Sequence, residues 1–162
     1  MLAYYGALVG SWRGPFELRI TRPQGLARLA PLDRIGMRAF DWVRRTGTPE
    51  VRTSVRVEAG RVLHTMRVLH HGVTLFESEE LIADGKLTGT LRMPPDPRRR
   101  PIHGTVVVHG DAADYDLVWL GVPVEQHAVW DRAADTVTLT QRTPFSEGTQ
   151  VLHRVARGGP AS

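Results

Sequence analysis

The 162-residue sequence contains no cysteine. This excludes a disulfide framework, a thiolate metal site and a cysteine nucleophile in one step. Lysine is almost as scarce: of 21 Lys+Arg only Lys86 is lysine, and aromatics make up 7 % of the chain. An arginine bias of this kind, beside abundant Gly, Ala, Val and Pro, reads as the mark of a GC-rich bacterial genome rather than of a ligand. No apolar run approaches the roughly 20 residues that a membrane-crossing helix needs. The first residues lack a basic segment followed by an apolar one. The expectation is a soluble, cytoplasmic protein without stable membrane insertion. No serine stands in a nucleophile-elbow context, so a catalytic triad is unsupported. The pI of about 10.3 permits nucleic-acid binding, yet the net charge is only +4 and the arginines scatter over outer strand faces; no nucleic-acid partner is expected.

What is present is alternation. Leu8, Gly10, Trp12, Gly14, Phe16, Leu18 and Ile20 share one face of an early strand, and Val9, Ser11, Arg13, Pro15, Glu17, Arg19 and Thr21 share the other. The glycines around Trp12 suggest a strand that curves and lets the ring lie across a barrel floor. Residues 26–46 change period and read as a helical pair around Pro31, with Asp33 as N-cap of the second helix and Gly47 closing it. Phe40, Trp42 and Val43 fall on its apolar side, and Arg34, Arg38 and Arg45 on the other. From Pro49 the chain is strand and turn: 51–58, 61–70, 73–83, 86–93, 102–109, 114–120, 124–131, 135–142 and 148–156. Ala59-Gly60, His71-Gly72 and Asp84-Gly85 supply turns. The Pro-rich loop carrying Arg98, Arg99 and Arg100 is expected to be solvated.

The fold class expected is mainly β: a single antiparallel up-and-down β-barrel of about ten strands with a short helical cap between the first and second strands. It forms one domain over 1–157, with 158–162 as a flexible tail. Ten strands enclose a wider bore than eight, and Gly10, Gly14, Gly89, Gly104 and Ala128, taken as inward, leave it unfilled. The cavity lining expected is Trp12, Phe16, Leu18, Phe40, Trp42, Val55, Val57, Met66, Leu75, Leu91, Val106, Tyr115, Leu117, Trp119, Trp130 and Leu139, suited to a small hydrophobic or amphipathic molecule.

Gly10-Ser11-Trp12 is similar to the Gly-x-Trp signature on the first strand of lipocalins and the wider calycin barrels, which include the fatty-acid-binding proteins. A helical pair after the first strand, followed by strands to the end, resembles the fatty-acid-binding-protein branch. The resemblance implies a ligand held in the barrel and an arginine, Arg142, Arg154 or Arg157, stacked over Trp12. That branch holds the ligand carboxylate with buried arginines and an Arg-x-Tyr on the last strand. Here the last strand reads Gln150-Val151-Leu152-His153-Arg154-Val155, without the tyrosine, which implies a neutral ligand or one held by other groups.

Two alternatives stay open. A cofactor-independent cyclase or isomerase would use the same cavity, with Glu77, beside Val73, Leu75 and Leu81, or Tyr115 as acid or base; Gln126 and His127 are further candidates. The chain also resembles bacterial nitrobindins, Gly-x-Trp-x-Gly barrels with a proximal histidine near the last strand, where His153 sits; that resemblance implies haem. Otherwise no cofactor and no metal are expected, and a homodimer is left open.

Overall fold

In the computed structural model, which describes residues 1–94 and 96–155, strands β1 (Gly10–Pro15), β2 (Glu17–Ile20), β3 (Glu50–Glu58), β4 (Arg61–His70), β5 (Val73–Ala83), β6 (Lys86–Arg92), β7 (Arg100–His109), β8 (Ala112–Trp119), β9 (Val122–Asp131), β10 (Thr136–Arg142) and β11 (Ser146–Arg154) form one antiparallel sheet. Each strand from β3 to β11 pairs with the next, and β1 pairs with both β3 and β11, so ten strands close into a barrel. β2 is an eleventh, added on β11. The hairpin logic is legible in the backbone: at Ala59-Gly60, His71-Gly72, Asp84-Gly85 and Leu120-Gly121 both turn residues have positive φ, the condition for the primed turns that match strand twist. The first of the expected strands breaks at Phe16, whose N–H donates to the Pro49 carbonyl at 2.8 Å. Pro15 has no N–H for the ladder.

The expected inward glycines work differently. A Cβ on Gly14, Gly89 or Gly104 would collide with a backbone carbonyl of the adjoining strand, of Val151, Glu79 and Asp116 respectively. These glycines let strands approach closely where the sheet coils; they do not widen the bore.

Two helices stop the two ends of the barrel. At the mouth, a 3₁₀ turn (Pro23–Arg28) leads into α2 (Pro31–Arg44). The cap expected at 26–46 is there, but Ala30 occupies the N-cap position and Pro31 the first helical one, as its fixed φ favours. Asp33 sits one turn in, buried, and accepts a hydrogen bond from Arg100 at 3.0 Å. Trp42 was expected to face in; it is 67 % exposed, on the outer side with Leu32 and Ile35. Met37 is the apolar residue that α2 buries, beside Asp33. The loop arginines expected to be solvated are partly engaged: besides the Arg100 contact, Arg98 pairs with Asp96 at 2.6 Å.

The opposite end is closed by a helix that the sequence reading missed, α1 (Leu2–Leu8), which buries Tyr4, Tyr5 and Leu8. Leu8 therefore ends a helix rather than opening a strand. Met1, Tyr4, Tyr5 and Leu8 recur at helical spacing, the signal that Gly6 obscures. No helix among the described residues is long and apolar enough to cross a membrane. The tail 158–162 expected as flexible lies outside the described residues.

Candidate functional site

The barrel interior contains two small chambers that share Glu80 and Gln126 at their boundary. The one under α2 is apolar and about 50 Å³; the one above α1 is about 80 Å³. Most of the bore is packed with side chains. Phe16, Leu18, Phe40, Met66, Leu75, Leu117 and Trp119 line the α2 chamber as expected, joined by Met37, Phe76, Met93 and Gln141. Trp12, Val55, Tyr115 and Leu139 line the α1 chamber, joined by Tyr4, Tyr5, His64 and Thr53. Leu91 and Val106 are buried and Val57 partly so, in the core around the chambers. Trp130 also packs against the core, under the Arg132 guanidinium at 4.8 Å, and lines neither chamber.

Glu77 was expected to face in and does not. It lies on the outer face, where Arg92 donates to it at 2.8 Å and its cross-strand partner is Arg67. The cause is a bulge: Val68 pairs with Phe76 but Leu69 with Thr74, so Leu75 is extra and the inward set becomes Phe76, Ser78, Glu80 and Ile82. The interior carboxylate is Glu80. His64 is two residues from Met66, which was expected in the lining, and therefore shares its face of β4; that spacing is the signal for it.

Glu80 and His64 form a bonded pair. Glu80 Oε2 lies 2.7 Å from His64 Nδ1, and Ser78 Oγ donates to Glu80 Oε1 at 2.9 Å. Thr53 Oγ1 donates to the Thr65 carbonyl at 2.7 Å and lies 2.6 Å from His64 Nε2. Its one proton is thus committed, so it accepts from Nε2–H, while the carboxylate accepts from Nδ1–H. Both imidazole nitrogens act as donors, the pattern of an imidazolium. Burial alone would lower the His64 pKa, but the Glu80 charge and hydrogen bond outweigh it and raise it. Burial would raise that of Glu80, and His64, with Ser78 helping, holds it below the usual carboxylate range.

The α1 chamber is lined by three tyrosines. Tyr5 and Tyr115 share a 2.8 Å hydroxyl–hydroxyl hydrogen bond. Burial first, then the neighbouring Asp111 charge, pushes the Tyr4 pKa up to about 12. Burial also drives Tyr5 and Tyr115 upward, so all three phenols stay protonated. Across the boundary Gln126 donates to Gln141 at 3.0 Å.

The floor matches the expected stacking, with Arg154 the arginine that supplies it: its guanidinium lies 4.2 Å over the Trp12 ring. It also donates to the carbonyls of Val9 at 2.8 Å and Ala7 at 2.9 Å and to Asp135 at 2.7 Å, while Trp12 Nε1–H donates to Leu8. The orphan carbonyls at the end of α1 are satisfied this way. Arg142 pairs outside with Glu147, and Arg157 lies outside the described residues.

His153 is exposed on the outer face, in the pair with Arg13. A haem held by it would sit outside the bore. Of the seven histidines, His64 alone lies inside the barrel, and His127 is outside, bonded to Asp114 at 2.6 Å. Among the described residues no three His, Asp or Glu side chains gather as metal ligands. A concavity of about 760 Å³ is an open trough on the outer strand faces, where side chains such as Asp114, His127, Arg142 and Glu147 already pair with one another.

No family model and no curated protein matches the chain. Among solved structures, one described as a REP1-NXSQ fatty acid transporter superposes with a TM-score of 0.57 at 10 % identity, covering 94 % of this chain and 99 % of that one. The fold is that of a calycin-like barrel. A tyrosine-to-phenylalanine mutant of the same transporter superposes on this calycin-like chain with a TM-score of 0.51 at 12 % identity, over 93 % of it and 99 % of the mutant.

Proposed function

We propose that the barrel takes up a small amphipathic molecule, its apolar part under α2 and its polar end past the belt of Glu80, His64 and Gln126, in the chamber above α1. The observation that carries this reading is that two chambers meet at one polar wall: the apolar recess capped by α2 and the second recess above α1 share Glu80 and Gln126 between them. This is the usual composition of a small-molecule site, mostly apolar with a few placed polar groups. The likeness to barrels described as fatty acid transporters supports binding inside the barrel. Chambers of about 50 and 80 Å³ take only a few water-sized groups, so a longer chain requires α2 to lift and the Met side chains to repack. We place the protein in the cytoplasm as a carrier or buffer.

Binding is favoured over cyclase or isomerase chemistry because the interior base is already neutralised. A carboxylate held as an anion by an imidazolium is a weak proton acceptor, and Glu77 is outside. Tyr115 remains as a hydrogen-bond donor.

Met37, Met66 and Met93 all line the α2 chamber, whereas Met1 sits at the other end. With methionine methyls labelled with ¹³C, titration with octan-1-ol is expected to shift those three resonances and leave Met1 in place. A Leu75→Trp variant, which fills the chamber, should abolish the shifts. Movement of Met1 alone, or of no methyl, would remove the reading.

A further inference from the structure

We infer that the buried end of the ligand is an uncharged oxygen acceptor, a hydroxyl or carbonyl, received by the tyrosine hydroxyls above α1, and that carboxylates are rejected. The inference rests on the reading of the barrel as a binding protein.

The chamber has donors to spare. Among the described residues the Tyr4 hydroxyl is buried with no hydrogen-bond partner. Tyr5 and Tyr115 bring two hydroxyl protons to one mutual hydrogen bond, so the second proton is without an acceptor there. A buried donor without a partner carries a desolvation cost that a ligand oxygen relieves. All three phenols remain protonated, so the donors persist over the working pH range.

The chamber also lacks what a carboxylate needs. No arginine or lysine of the described residues lines either chamber. His64, the one basic side chain among the described residues that line the chambers, is engaged by Glu80 through a 2.7 Å contact. A ligand carboxylate would be taken from water into a site with no free positive charge and with the Glu80 anion at the chamber boundary, a like-charge contact. A hydroxyl or ketone oxygen meets no such penalty. Arg154, whose guanidinium covers the floor, is spent on the Trp12 face, two carbonyls and Asp135.

The test is a comparison of octan-1-ol, octan-2-one and octanoate at pH 7.5, followed by the Met37, Met66 and Met93 methyl resonances of the full chain. The alcohol and the ketone are expected to bind at least about tenfold more tightly than octanoate. Tyr115→Phe and, as an independent variant, Tyr5→Phe are each expected to weaken the alcohol and ketone about three- to tenfold while leaving octanoate unchanged. Octanoate binding as tightly as octan-1-ol, or alcohol affinity unchanged in both phenylalanine variants, would overturn the inference and leave the binding reading intact. If none of the three probes moves the methyls, the binding reading itself falls and this inference with it.

Discussion

His64 and Glu80 show how one buried pair connects local register to pH response. His64 is raised and Glu80 lowered relative to their ordinary values of 6.5 and 4.5. The His64 contribution is therefore complete below pH 6.5 and is lost as pH rises through its folded value. The Glu80 contribution is complete above pH 4.5 and is lost as pH falls through its own. Between those two values the pair contributes fully. His64→Gln is predicted to cost about 3 kcal/mol in that window, with the gap to wild type narrowing on both sides. Urea unfolding at several pH values measures this; a gap constant with pH would contradict the ion pair. This site was half legible. His64 shares a face of β4 with Met66, which was expected in the lining, but the bulge at Leu75 moves the inward carboxylate from Glu77 to Glu80. A bulge leaves no mark in an alternating sequence that already tolerates either register.

Among the elements, α2 is the one that has to move. Phe40 packs edge-on against Phe16 at 5.5 Å between ring centroids, Met93 lies under Gly36, and Arg100 bridges from β7 to buried Asp33. Asp33→Asn weakens that bridge without touching the chamber lining. It is predicted to speed octan-1-ol exchange severalfold, seen as line broadening of the Met37 and Met93 methyls, with little change in affinity. Unchanged exchange would show that α2 is not the gate. Trp42→Ser, on the exposed side of the same helix, should shift stability by less than about 0.5 kcal/mol. A large loss in thermal unfolding would mean that Trp42 faces the barrel after all. The helical period of residues 31–44 was legible, but its inward stripe was not: Leu32, Ile35 and Trp42 are as apolar as Met37 and Phe40, and only the packing against Phe16 and Met93 decides between them. α1 went unseen because seven residues with a central glycine carry little propensity of their own; packing of Tyr4, Tyr5 and Leu8 into the barrel end holds it.

At the scale of the whole molecule, closure was legible and the content of the bore was not. X-Gly pairs at regular spacing announce hairpins wherever they fall, so nearly every strand from β3 onward lies close to its expected span. Interior volume depends on rotamers and on where the sheet coils, and neither leaves a periodic trace. The glycines expected to empty the bore instead permit strands to cross closely. Gly104→Ala places a methyl against the Asp116 carbonyl and the Leu117 backbone and is predicted to destabilise by about 3 kcal/mol or more, read as the shift in thermal midpoint by circular dichroism. A neutral result would show that the sheet has slack there. The central claim, an interior site running from the methionines under α2 to the tyrosines above α1, is met most directly by a crystal structure of the octan-1-ol complex. The account predicts continuous density inside the barrel, with the alcohol oxygen within hydrogen-bond distance of Tyr5 or Tyr115 and the chain among Met37, Met66 and Met93. Ligand density confined to the outer trough beside Asp114 and Arg142, with both chambers unchanged, would contradict it.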